Sequence, residues 1–423
     1  MKRFQLFLIP LVVALMFPAG AQSATKNIPV KIMTRITALP NSTPVSGMLV
    51  SGKVIYLFGT TTTVNGTDAY LEAMDGLGAV RWTLPLDTGA AEIATGITRD
   101  TSGNIWVVGS AAQVIPSATP TPTPSTTPTP TPSATPTPIP TIVNPDGVVL
   151  DPDLPTRKDL TKIVAWKVSP SGTLLATYTL DVLHPVLVRG IAISSKGFAV
   201  VGMISTSTGN AGFLLQSDAT GTFGKPLLIG KTDTVANAVL MKTDGSLIVV
   251  GSSGEKIGGK ALIGQRDGIV ASISATGKLV SLIRSSNVKS SRSWQSITNS
   301  LFLGGDAAVN SQTEAVVTKF ASNFRATWTA RFPALSRALT FDISSSSRLM
   351  TFSSTGAIKG VAGWKPTRSS VLTLIFDSKG ALIGAFGASA MTTPISMGFS
   401  RDLGVVVLGS GALGVSIFHA LPR

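Results

Sequence analysis

Few residues in this chain are equipped for acid–base or metal chemistry. Its 423 residues include two histidines, His184 and His419, and no cysteine. Two histidines cannot fill a multi-histidine metal site, and without thiols there are no disulfides, thiolate metal sites or cysteine nucleophiles. His184 sits in Leu183-His184-Pro185 and His419 near the end of the sequence; no Gly-x-Ser-x-Gly elbow accompanies either. A serine triad therefore lacks its frame. The acids Asp75, Asp100, Asp218, Asp244, Asp377 and Asp402 recur beside glycine or serine in turn-like stretches, where a short carboxylate accepts nearby backbone amides. No calcium loop or phosphate-cradling glycine loop is present. The expectation is of no catalytic residues, no metal and no cofactor.

Binding chemistry is better represented. Trp364 lies in AIKGVAGWKPTRSS with Lys359, Lys365 and Arg368; an exposed tryptophan among cations can stack on a sugar face or anchor a protein contact, and the alternative is an indole folded back over the blade edge. SSGEKIGGKALIGQRDG contributes Lys256, Lys260 and Arg266, and KSSRS contributes Lys289 and Arg292. Trp82, Trp106, Trp166 and Trp328 fall in strand-like stretches, where packing between sheets is the expected role, and Trp294 begins another.

What positions these residues is a repeat. Short runs of valine, isoleucine, leucine and threonine alternate with turn residues, and helical periodicity is almost absent beyond the first residues. An apolar strand closing on a small residue recurs as KVIYLFG, NIWVVG, GFAVVG, SLIVVG, SLFLGG, RLMTFSS and GVVVLG. Most steps between these marks are about 50 residues, and the one from Gly109 to Gly202 is 93. A strand precedes each mark and a hairpin follows it, as in IVAWKVSPSGTLLATYTL. Each unit is thus four antiparallel strands, A to D, the signature of a β-propeller blade. The expected fold is all-β, a seven-bladed propeller. The last unit lacks a strand D, and IPVKIMTRITAL near the start has no blade of its own; pairing the two would close the ring.

DTSGNIWVVGS, continued by IVAWKVSPSGTLLATYTL, resembles the bacterial secreted β-propeller repeat of the SBBP type, through Ala165-Trp166-Lys167 and Pro170-Ser171-Gly172. Lys196-Gly197, Thr243-Asp244-Gly245 and Asp402-Leu403-Gly404 keep only its turn. The resemblance implies a scaffold and carries no catalytic residues.

Residues 1–21 read as a signal peptide: Lys2 and Arg3, an apolar stretch from Phe4 to Phe17, then Ala19-Gly20-Ala21. No later segment is apolar and long enough to span a bilayer. A secreted or envelope-associated bacterial protein follows, periplasmic if Gram-negative, with 22–423 as one domain and a monomer expected. The net charge is +14, or +12 once Lys2 and Arg3 are removed, which draws a protein to anionic surfaces; no nucleic-acid recognition motif is visible. In a four-stranded antiparallel blade the B–C and D–A loops leave from one end. Lys256, Lys260, Arg266, Lys289, Arg292, Lys359, Lys365 and Arg368 therefore gather, with Trp364, on one face.

The leading expectation is a non-catalytic propeller binding an anionic cell-wall polymer, a glycan or an extracellular protein through that face. The alternatives are a carbohydrate-active hydrolase or lyase whose acids converge on the central channel, and a structural envelope protein. The proline- and threonine-rich run at 113–156 accounts for the 93-residue step and reads as an insertion in the B–C loop of the second unit, not as a linker between domains.

Overall fold

The chain's apolar runs pair into seven sheets, whose inner strands are Val45–Ser51, Glu92–Arg99, Val186–Ser194, Thr234–Met241, Ser290–Ile297, Leu339–Asp342 and Thr393–Ser400. We number the sheets 1 to 7 in that order. Each inner strand touches those of the sheets before and after it, and Thr393–Ser400 also touches Val45–Ser51. The computed structural model describes residues 27–40, 44–63, 66–113, 157–310, 312–412 and 414–421. The expected signal peptide lies outside these residues, as does the expected insertion apart from Gln113. The strands flanking that insertion, Ile105–Ala112 and Leu160–Val168, are hydrogen-bonded neighbours in sheet 2, in register from Ile105 opposite Val168 to Ala111 opposite Lys162, with a one-residue shift before Ala112 opposite Leu160.

The architecture is an all-β propeller, and six of its sheets are four-stranded antiparallel blades. The four-stranded antiparallel blades therefore number six, not the expected seven, because sheet 6 has six strands. Its four antiparallel strands are extended by Ile28–Ile32, parallel to Leu382–Ala388, and by Val361–Ala362, parallel to Ile28–Ile32. The physical reason lies in the N-terminal stretch, which serves two sheets instead of one. Ile28–Ile32 covers the outer edge of sheet 6, and Thr34–Ala38 pairs antiparallel with Gly414–Ala420 as the outer strand of sheet 7. Both outer edges are thereby paired, which removes unsatisfied backbone groups.

Neighbouring sheets are joined by aromatics set on glycine turns. The indole Nε1 of Trp82 in sheet 1 donates to the Pro170 carbonyl of sheet 2 at 3.3 Å, and that of Trp328 in sheet 5 donates to the Ser378 carbonyl of sheet 6 at 3.3 Å. Gly172 and Gly380, at φ of 89° and 86°, turn beneath these rings, and a Cβ on either would lie 2.7 Å from an indole carbon. Only glycine satisfies both the left-handed turn and the close approach. Trp166 and Trp294 are fully buried and Trp106 nearly so, so the expected packing roles of the strand tryptophans hold.

Candidate functional site: the long-loop face and the axial mouth

The acids that would serve an enzyme are mostly committed to turns. Asp75 accepts the amides of Leu77 and Ala79 at 2.9 and 3.0 Å, and Asp377 those of Lys379 and Ala381 at 2.8 Å each. Asp218 and Asp244 close the same kind of turn. Backbone amide donors hold Asp75 below the usual carboxylate range, while the side-chain hydroxyls of Thr220 and Ser246 lead the same effect at Asp218 and Asp244. Asp100 is partly buried, which raises its pKa, but bonds from Trp106 and Asn104 outweigh that and hold it low. Asp402 alone of the six accepts no hydrogen bond from the described residues. His184 is exposed, and the His419 Nδ1 donates to the Leu403 carbonyl at 3.2 Å. Among the described residues no group of three or more His, Asp or Glu side chains could hold a metal ion.

The long loops leave from one end of the sheets, and they spend several of the expected binding cations on holding themselves together. Arg266 pairs with Asp233 and donates to Ser252 Oγ at 3.1 Å, while its backbone carbonyl accepts the Arg292 amide at 2.9 Å, stitching sheet 4 to sheet 5. The Arg292 guanidinium lies 5.2 Å over the Trp294 ring and donates to Ser285 Oγ at 3.3 Å. Lys260 Nζ donates to the Leu282 carbonyl at 2.7 Å. Glu255 clamps the loop between sheets 3 and 4, accepting the amides of Lys231, Thr232 and Asp233 at 2.8 to 3.0 Å and the Thr234 hydroxyl at 2.7 Å. Partial burial pushes the Glu255 pKa up, but these four donors prevail and bring it down to about 2.

Trp364 needs the largest correction. It is 4% exposed, donates from Nε1 to Ser354 Oγ at 3.1 Å, and packs in the core with Phe352 and Leu372. The loop bearing it folds back because Val361–Ala362 pairs with Ile28–Ile32, so the indole is no exposed stacking platform. Lys359, Lys365 and Arg368 on the same loop are exposed, as are Lys256 and Lys289. The side chains of Lys256, Lys289, Lys365 and Arg368 make no ion pair or hydrogen bond with the described residues.

Between the inner strands, on this same end, opens a cavity of about 230 Å³ lined by residues from all seven sheets. It was not singled out from the sequence, and a local device builds it. In six inner strands the pairing register skips one residue: Ser46, Thr95, Arg189, Asn237, Gln295 and Ile395. Such a bulge places two residues opposite one and re-aims a side chain; every skipped residue lines the cavity. In sheet 6 Arg337 takes this place, ahead of Leu339–Asp342, where the following Ala338 donates its amide to Gly305 of sheet 5 at 2.9 Å. Gly47, Gly96, Gly190, Ala238, Ser296, Ala338 and Ser396 follow these seven residues in turn. The small residues let the inner strands approach: a Cβ on Gly190 would lie 3.2 Å from the Asn237 carbonyl oxygen and 3.5 Å from the Ala238 Cα. A small residue immediately after each inward-facing position is the sequence signal that marks the ring.

No family model matches the chain and no curated protein matches it. Solved propeller structures resemble it distantly. The BBS1N structure in complex with ARL6DN is 10% identical, with a TM-score of 0.45 over 94% of this chain and 98% of that one. Sqt1 from Chaetomium thermophilum, bound to the N-terminus of ribosomal protein L10, is 10% identical, with a TM-score of 0.46 over 93% of this chain and 100% of that one. An ulvan lyase of a polysaccharide lyase family is 10% identical, with a TM-score of 0.46 over 94% of each chain. At such identity and similarity these likenesses carry no argument about what this chain binds or does.

Proposed function

We propose that this chain is a secreted, non-catalytic binding propeller that holds an anionic cell-surface polymer against its long-loop face. Sheet 6 counts as the seventh blade in this reading, Thr34–Ala38 closes the ring, and 113–156 is an insertion into a single domain of the secreted-repeat type. The observation that carries it is the set of exposed, uncommitted cations Lys256, Lys289, Lys365 and Arg368 on one end of the sheets. Each basic group held near an anionic surface contributes about 1 kcal/mol, and the attraction is screened by salt. The turn roles of Asp75, Asp100, Asp218, Asp244 and Asp377 favour binding over glycosidic catalysis.

Co-sedimentation of the secreted protein with purified bacterial cell walls tests the reading. The variant with Lys256, Lys289, Lys365 and Arg368 all replaced by alanine should lose at least about tenfold in retention, and retention of the unaltered protein should fall as salt is raised. Equal retention of the two proteins would refute it; salt-independent retention would point to a protein partner instead.

A further inference from the structure

The axial ring presents side chains in a fixed order round the mouth: Ser46, Thr95, Arg189, Asn237, Gln295, Arg337 and Ile395, one from each of sheets 1 to 7. Its composition is one-sided. Arg189, Asn237, Gln295 and Arg337 come from four successive sheets, so two amides lie between two guanidiniums. Pro394, Ile395 and Leu339, with Ala94 and Val188, supply the apolar lining.

The polar arc is held in place by its own bonds. Arg337 Nη1 donates to Gln295 Oε1 at 2.8 Å, and Gln295 Nε2 donates to Ser293 Oγ at 2.8 Å. Asn237 Nδ2 donates to the Trp294 carbonyl at 2.9 Å and to Ser293 Oγ at 3.3 Å. A carbonyl can only accept, so the Asn237 amide is oriented with its nitrogen toward Trp294 and its Oδ1 elsewhere. That Oδ1 is buried, on a residue 6% exposed that lines the cavity, and makes no hydrogen bond with the described protein. Buried acceptors of this kind are rare and call for a donor. One acid stands close behind the arc: Asp306, where burial pushes the pKa up while Arg337 and a bond from Gln295 oppose the rise.

These demands select a ligand class. Guanidiniums are planar forks that match a carboxylate. The Asn237 oxygen requires an O–H or N–H donor, which a bare carboxylate lacks, and an ammonium donor would face two arginines. The apolar lining accommodates the C–H face of a ring. A volume of about 230 Å³ falls below the ~300–1,000 Å³ of drug-sized pockets, leaving room for one ring or a chain end. We propose that the axial mouth binds a hexuronate, with its carboxylate toward Arg189 or Arg337 and ring hydroxyls donating to Asn237 Oδ1 and pairing with Gln295. This deepens the binding reading above and rests on it for the choice of face, while assigning a separate set of residues on the inner strands.

Isothermal titration calorimetry of the secreted chain with glucuronate and galacturonate is the test, with glucose, acetate and inorganic phosphate as comparison probes. At least one uronate should bind about tenfold or more tightly than each comparison probe, because glucose lacks the charge and acetate the donor. Arg189→Gln should weaken that uronate about tenfold or more, the range for losing a charged hydrogen bond, with an unchanged thermal midpoint. Arg337→Lys, which keeps the charge but loses the fork, gives a second reading should Arg189→Gln fail to fold. The variant lacking the four loop cations should keep its uronate affinity while losing wall retention, so the failure of either idea is visible without the other. No uronate binding, equal binding of glucose, acetate or phosphate, or unchanged affinity in both arginine variants would overturn the proposal.

Discussion

The long-loop surface and the axial ring carry the same sign of charge on different supports. Lys256, Lys289, Lys365 and Arg368 extend from loops into solvent, where an ammonium or guanidinium acts as screened, interchangeable charge. Arg189 projects from a bulge in an inner strand and Arg337 from the segment just ahead of another, beside Asn237 and Gln295, and Arg337 is fixed by its bond to Gln295. The difference teaches where each kind of selectivity resides: loops attract a class of surface, and rigid strands can discriminate a chemical group.

Trp364 sits on a loop of the long-loop face but is packed in the core, and its removal should have the largest effect. Trp364→Ala is expected to lower unfolding stability by about 3–5 kcal/mol, the usual range for truncating a buried large aromatic, measurable as a shift in the urea midpoint. Lys365→Ala, one residue along and exposed, should change stability by no more than about 0.5 kcal/mol. Equal, small effects would mean that the indole is not a core residue and would return it to the binding surface.

Glu255 sharpens the comparison because it uses charge on the loop face for structure. Its folded pKa, about 2, lies below the ordinary glutamate value of about 4.3. The stabilisation is therefore complete above about pH 4.3 and is lost as the pH falls through about 2. Glu255→Gln should cost on the order of 1–3 kcal/mol at neutral pH and flatten the acid limb of the stability profile in that window. An unaltered limb would show that the clamp on residues 231–234 contributes nothing. Gly380→Ala should cost a further on the order of 1–3 kcal/mol, through strain at positive φ and the Trp328 contact; a neutral result in thermal unfolding would contradict the packing of the sheet joints.

The propeller was legible because its strands repeat. KVIYLFG, NIWVVG and their counterparts mark second strands whose burial requires an apolar run, and the structure places each of them beside an inner strand. Pairing of the N-terminal stretch with the last sheet was also legible, since a missing strand D and a spare strand are both features of order. The division of that stretch was not: IPVKI and TRITA look alike as strand formers, and Met33 between them gives no sign that one half belongs to sheet 6. The site was less legible. Arg266 is held by Asp233, 33 residues earlier in the chain, and its carbonyl by the Arg292 amide of sheet 5, contacts that spacing along the chain cannot disclose, whereas Arg292 lies over Trp294 two residues along its own strand. The axial residues escaped notice because Ser46, Thr95, Arg189, Asn237, Gln295, Arg337 and Ile395 share no chemistry. What they share is the small residue that follows, which reads as a turn or a gap until the bulges are seen.

Salt separates the two regions most directly. On one preparation of the protein, cell-wall retention and uronate affinity are measured between about 0.05 and 0.5 M salt, over which the screening length shortens several-fold. Wall retention, resting on exposed loop cations, should fall steeply, while uronate affinity in the partly enclosed axial mouth should fall far less. A parallel decline of the two, or loss of uronate affinity in the variant lacking Lys256, Lys289, Lys365 and Arg368, would contradict the division of the face into an attracting rim and a discriminating centre.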